Sequence, residues 1–178
     1  QQAQDPLDVK TSPLVDRRIN DPLLDEASRR EAALFHGRWD ELGDQAEWTV
    51  HERARFALQR GDALNPVFDD ADVEATVRAR AMLMRGEPER VERLLADEAS
   101  LEALWLRGDA FEQQGEMAKA AAVLQPLRGL LERRRVESPG ELTAGAQGLV
   151  LLARLEGQPE ADYFLAMDLL GRVRSELM

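Results

Sequence analysis

Residues 101–134 read LEALWLRGDAFEQQGEMAKAAAVLQPLRGLLERR, and the placing of small and large side chains along this stretch decides the fold. Leu104, Gly108 and Phe111 recur at the three-to-four-residue spacing of one helix face. Gly115 then stops the helix, because it tolerates the left-handed backbone that helix C-termini adopt. Beyond it Ala120, Leu124, Leu127 and Leu131 resume the same spacing. Antiparallel helices approach to about 8–10 Å when ridges fit grooves. A small residue on each partner, Gly108 and Ala120, lets the backbones meet, while Leu104, Phe111 and Leu124 fill the space around that contact. One hairpin of this kind cannot bury its apolar face alone, so the pattern calls for neighbours stacked on either side.

Outward from this block the same punctuation recurs. Helix, Gly-x, helix is written at Gly37, Gly86, Gly115 and Gly157, followed by Arg38-Trp39, Glu87-Pro88, Glu116-Met117 and Gln158-Pro159. Ala, Leu, Glu, Arg and Gln dominate and no strict alternation lasts, so helices are predicted throughout and strands nowhere. The first helix is predicted over about Asp25 to His36. The second runs from near Trp39 to Arg60, with Trp39 and Trp48 in the core, and a loop containing Asn65-Pro66 follows Gly61. The third spans about Asp70 to Arg85, with Val73, Val77, Ala81 and Met84 inward and Asp70 or Asp72 as its N-cap. The fourth opens on Pro88, harmless in a first turn, and buries Val91, Leu94 and Leu95. Ser100 caps the fifth. The sixth runs from Glu116 to about Arg135, with Met117, Ala120, Ala121, Leu124, Leu127 and Leu131 inward, and Pro126 inside it predicts a kink or break. Ser138-Pro139-Gly140 separates it from a seventh helix carrying Leu142, Ala146, Leu149, Leu152 and Ala153. The eighth carries Phe164, Met167, Leu170 and Val173. Residues 1–21, interrupted by Pro6 and Pro13, are predicted to be an extended or disordered N-terminal arm.

The block from Leu101 to about Arg134 resembles the tetratricopeptide repeat: Leu104, Gly108, Phe111, Gly115, Ala120 and Leu124 stand at the family's large, small, aromatic, turn, small and large places. Ala75, Ala79, Met82, Gly86, Val91 and Leu95 fill the same places in the block before it. The turn glycines lie 49, 29 and 42 residues apart, against about 34 in the family, so the repeats are degenerate. The resemblance covers roughly Leu23 to Arg174. It implies an all-α fold, a tetratricopeptide-like α-solenoid of about four antiparallel helix hairpins, at about 23–60, 70–98, 100–135 and 140–175 within a repeat domain of residues 22–178. In that family the first helix of each pair lines a concave groove. The residues facing it by phase are Thr76 and Arg80 on the third helix, Trp105, Asp109 and Glu112 on the fifth, and Gln147 and Arg154 on the seventh. Trp105 reads in two ways, as an exposed anchor for a partner or as a side chain packed on the neighbouring hairpin.

Composition bounds the chemistry. With 44% hydrophobic and 32% charged residues in 178, the chain reads as globular. A net charge of −11 repels phosphate backbones, so no nucleic acid is expected, and the short clusters Arg17-Arg18, Arg29-Arg30 and Arg133-Arg134-Arg135 read as solvated surface. There is no cysteine, hence no disulfide, thiolate metal site or cysteine nucleophile. No run reaches the ~18 apolar residues of a membrane span. His51-Glu52 begins like a zinc-protease motif, but Arg55 stands where the second histidine would be. Asp69, Asp70 and Asp72 lack the glycine and the terminal glutamate of a calcium loop. Neither a nucleophile elbow nor a phosphate loop occurs. The expectation is therefore no enzyme, no metal and no cofactor, but a scaffold that binds a peptide or partner domain in its concave groove. The alternative is a structural repeat segment supporting a catalytic, peptidase-like domain elsewhere in a longer chain. The start at Gln1 and the uncapped end at Met178 read as a piece of a larger bacterial protein with further repeats or domains. A Gln-Gln-Ala-Gln start suits export to the periplasm or cell envelope, with a cytoplasmic location as the other reading.

Overall fold

The computed structural model describes residues 25–35, 37–44, 47–133, 139–157, 164–168 and 170–171. The expected N-terminal arm lies outside them, as do His36, Ser138, the Gln158-Pro159 turn and Val173. Among the described residues the protein is all-α: α1 (Glu26–Phe35), α2 (Val50–Gln59), α3 (Ala75–Arg85), α4 (Pro88–Leu94), α5 (Leu101–Gln113), α6 (Met117–Leu124), α7 (Pro126–Arg133) and α8 (Pro139–Glu156). Short 3₁₀ turns occupy Trp39–Leu42 and Pro66–Asp69. Residues 164–168 and 170–171 are helical too.

Local chemistry sets these boundaries. The Ser100 hydroxyl accepts the Ala103 N–H at 3.1 Å, so α5 starts where a side chain satisfies an otherwise orphaned donor. Pro88 opens α4. The turn glycines Gly37, Gly86, Gly115 and Gly157 all have positive φ, between 63° and 77°, and at Gly86 this lets the chain leave α3 with its N–H bonded back to Leu83. Pro126 does break the sixth predicted helix: α6 ends at Leu124 and α7 begins on the proline.

Three boundaries differ from the sequence reading. The helix expected from Trp39 to Arg60 is two pieces. Gly43 adopts φ 74° after the 3₁₀ turn, and α2 starts afresh at Val50. There Thr49 and Glu52 form a reciprocal capping box, with Glu52 N–H donating to Thr49 Oγ1 at 3.2 Å and Thr49 N–H to Glu52 Oε2 at 2.7 Å. The third helix begins at Ala75 rather than at Asp70. Neither aspartate caps it; Asp70 Oδ1 instead accepts the Asp72 N–H at 2.9 Å in a turn ahead of the helix. The segment expected to be plain loop contains the Pro66–Asp69 turn, capped by Asn65, whose Oδ1 accepts from Val67 N–H.

Consecutive elements share core. Val77 and Ala81 of α3 pack with Ala54 and Ala57 of α2 and with Phe68 and Val73 of the loop. Ala79 on the other side of α3 packs with Val91 and Leu95 and with Ala103, Leu106 and Ala110 of α5. Leu101 and Leu104 of α5 then meet Leu124 and Leu127, and Leu151 and Leu152 of α8. Helix α5 contacts α3, α4, α6, α7 and α8. The small residues sit where helices cross: a Cβ on Gly108 would lie 2.8 Å from Leu124, and one on Gly145 2.9 Å from Leu131. Beside Ala33 and Leu42, Phe56 meets Trp39 and Trp48 edge-on, at centroid distances of 4.7 and 5.1 Å, and the two tryptophans are tilted against each other at 6.0 Å.

Several apolar side chains expected inward face out. Met84 is 51% exposed and Met117 49%, while Phe164, Met167 and Leu170 are exposed and Ala166 takes the buried place. In each case the phase of the helix is set by the residue that fits the crossing. Met84 lies two turns from Val77, in the last turn of α3 before Gly86. Met117 opens α6 one turn before Ala120 reaches the core.

Candidate functional site

The side chains predicted to line one groove come from α3, α5 and α8, and the three helices are in mutual contact through α5. Two links cross the α3–α5 junction. The Arg80 guanidinium stands over the Trp105 ring, 5.3 Å from its centroid, and its Nη2 is 2.8 Å from Glu102 Oε1. A third link crosses from α5 to α8, where Arg154 pairs with Glu112. Gly148 of α8 passes the base of Trp105: a Cβ there would come within 3.6 Å of Trp105 Cβ. Arg80, Trp105, Glu112 and Arg154 therefore belong to one continuous strip.

Asp109 lies between these links, one turn after Trp105 and three residues before Glu112. It accepts a hydrogen bond from the Gln113 amide at 3.2 Å. Burial pushes its carboxyl above the usual carboxylate range, against the opposing effects of that hydrogen bond and of the Arg154 charge. Thr76, half-buried, sits one turn before Arg80, and Gln147 is exposed beside Gly148. Among the described residues neither is hydrogen-bonded to the charged groups of the strip.

Trp105 is not a free anchor. Its ring is partly buried and packs against the cluster of Ala79, Val91, Leu95 and Leu106, the second of the two readings open from the sequence. What remains outward is covered by Arg80 on one side. Truncating this tryptophan would therefore cost stability as well as surface.

The sequence reading missed Glu102 and Gln113. Both were discoverable: Glu102 precedes Trp105 by three residues and Gln113 follows Asp109 by four, the spacings at which helical side chains meet. Arg80 Nε is buried without a hydrogen-bond acceptor, so its guanidinium is held through Nη2 and the ring alone.

Away from the strip, Glu52 is the one buried charged residue among those described, at 6% exposure. Arg30 Nε donates to its Oε1 at 2.7 Å, and Arg30 Nη1 to the Leu42 carbonyl at 3.2 Å. That network joins α1, the first 3₁₀ turn and α2. His51 beside it is exposed. No group of three or more acidic, histidine or cysteine side chains arranged to hold a metal ion occurs among the described residues, and no helix there is long and apolar enough to cross a membrane. Comparison with protein families, curated proteins and solved structures finds no match for this chain.

Proposed function

We propose that this chain is a tetratricopeptide-like helical array without catalysis of its own, which holds a peptide or partner domain along the strip formed by α3, α5 and α8. The observation that carries this reading is the pair of junctions, Arg80 with Trp105 and Glu102, and Glu112 with Arg154. They bring residues from the first helices of three successive pairs onto one surface. The order of packing supports the array: α3 touches α5, α5 touches α8, and each second helix touches the first helix of the next pair, α4 with α5 and α6 with α8.

The test is selection of a phage-displayed peptide library against the protein, followed by affinity measurements on Trp105→Phe and Arg154→Ala. Arg154 is 65% exposed, and Phe keeps an aromatic ring in the core contact, so melting should stay within about 2 °C. Enriched peptides should bind both variants at least about fivefold more weakly. Equal binding to wild type and both variants sinks the strip as the binding surface.

One observation favours a second reading, in which the array also supports another domain of a longer chain. Phe164 and Met167, on one face of the last helical segment, are 76% and 61% exposed, and apolar side chains grouped at helical spacing are what a covering domain would bury.

A further inference from the structure

The strip's charges do not balance. It carries Glu102, Asp109 and Glu112 against Arg80 and Arg154. Arg80 is taken up by Glu102 and Arg154 by Glu112. Asp109 is left with a neutral amide donor, Gln113, and the more distant Arg154 charge. It also stands one turn from the one aromatic ring of the strip, four residues after Trp105 on α5, as Glu102 stands one turn before it. Side chains at that spacing are neighbours, about 5–6 Å apart at Cβ, a gap that a planar guanidinium can span while touching the ring and donating to the carboxylate.

We infer that the occupant of this strip is a basic peptide, one of whose arginine side chains lies against Trp105 and ion-pairs with Asp109. This rests on reading the strip as the binding surface and adds the chemistry of the partner. Arg80 already shows what the ring accepts: its guanidinium stands over Trp105 at 5.3 Å while pairing with a carboxylate one turn away, Glu102. The Trp105–Asp109 couple repeats the arrangement of ring and acid on the same helix, on the side where α8 passes. Charge over the whole chain, −11, draws a cationic segment toward it and opposes an acidic one.

The experiment is a titration of ¹⁵N-labelled protein with three heptapeptides alternating serine with arginine, with citrulline or with glutamate. Binding is followed at the Trp105 indole N–H resonance, assigned by its loss in Trp105→Phe. The arginine peptide should shift this resonance saturably. Citrulline, which keeps the shape and removes the charge, should bind about tenfold more weakly, and glutamate should not bind. Asp109→Asn should weaken the arginine peptide about tenfold, and Asp109→Glu should recover most of the loss. Asp97→Asn removes the same charge from an exposed site after α4 and should change the affinity less than twofold. Equal weakening by Asp97→Asn and Asp109→Asn, or equal shifts with arginine and citrulline, overturns the basic-peptide inference and leaves the binding strip standing. If none of the peptides, nor any enriched from the library, moves the Trp105 resonance, the strip falls as well. Retained dispersion of the remaining amides in Asp109→Asn separates lost binding from lost folding.

Discussion

Glu52 shows how much a single side chain can be asked to do when it is removed from water. Its carboxylate accepts from Arg30, from the Thr49 N–H and from the Thr49 hydroxyl, so three donors offset the cost of burying a charge. The Arg30 side chain holds the carboxyl below the usual range, helped by Thr49 and opposed by burial. A carboxyl whose pKa is lowered by folding stabilises the fold above its unfolded value, near 4.5, and loses that contribution as pH falls through the lower, folded value. Glu52→Gln keeps the shape and removes the charge, and should cost about 1.5–3 kcal/mol at pH 7. In melting curves taken between pH 7 and pH 3, the gap between wild type and Glu52→Gln should narrow below about pH 4.5. A gap that stays constant to pH 3 would show that the ion pair contributes nothing. Asp109 runs the other way: its raised pKa makes the folded state favour the proton more than the unfolded chain does, so protonation there adds stability as pH falls.

For whole helices, space decides the sign of one and the same substitution. Gly108 lies in α5 against fully buried Leu124, with 2.8 Å available to a new Cβ, whereas Gly129 in α7 has nothing within 4 Å. Alanine is intrinsically better in a helix than glycine by about 1 kcal/mol. Gly129→Ala should therefore stabilise by about 0.5–1 kcal/mol. Gly108→Ala should destabilise by about 1 kcal/mol, because overpacking of about 1–3 kcal/mol outweighs that gain. Leu124→Ala should cost about 2–5 kcal/mol, and the double variant should cost less than the two together, since the space opened at Leu124 takes the methyl added at Gly108. Urea melts of the four proteins check this; additivity would separate Gly108 from Leu124. The same reasoning explains which elements could be read in advance. Pro126, Ser100, Pro88 and the turn glycines act through their own backbone chemistry, and their effects appeared where expected. The Thr49–Glu52 box was equally local and equally written in the sequence, but it lies inside the stretch from Trp39 to Arg60 that reads as one helix. Met84, Met117, Phe164 and Met167 misled for another reason. Periodicity reports that a face exists, and only the neighbouring helix decides which apolar residues it covers. Phase placed Arg80 and Trp105, and Glu112 and Arg154, on facing helices, and these are in contact. The charge pairings were not readable, because Arg80 with Glu102 and Arg154 with Glu112 depend on how far one helix is shifted along the next.

Across the molecule, the distribution of contacts predicts where the fold opens first. Helix α5 is packed by α3, α4, α6, α7 and α8, and Leu101, Ala103, Leu106 and Ala110 on it are fully or almost fully buried. The aromatic cluster of Trp39, Trp48 and Phe56 is tied to this centre by way of α2 and α3, where the buried groups on the α2 side are the small residues Ala54 and Ala57. A junction built on such small side chains buries little, so α1 and α2 have less packing to lose by opening. Native-state hydrogen exchange should therefore find the slowest amides in α5, at rates set by global unfolding, with α3 and α8 next. The amides of α1 and α2 should exchange through a smaller opening. Arg30→Ala, which cuts the link from α1 to Glu52 and to the Leu42 carbonyl, should speed exchange in α1 and α2 by about tenfold or more and leave α5 within about twofold. A single compact bundle would transmit the loss to every helix alike, and equal acceleration in α5 would favour that architecture over the proposed array.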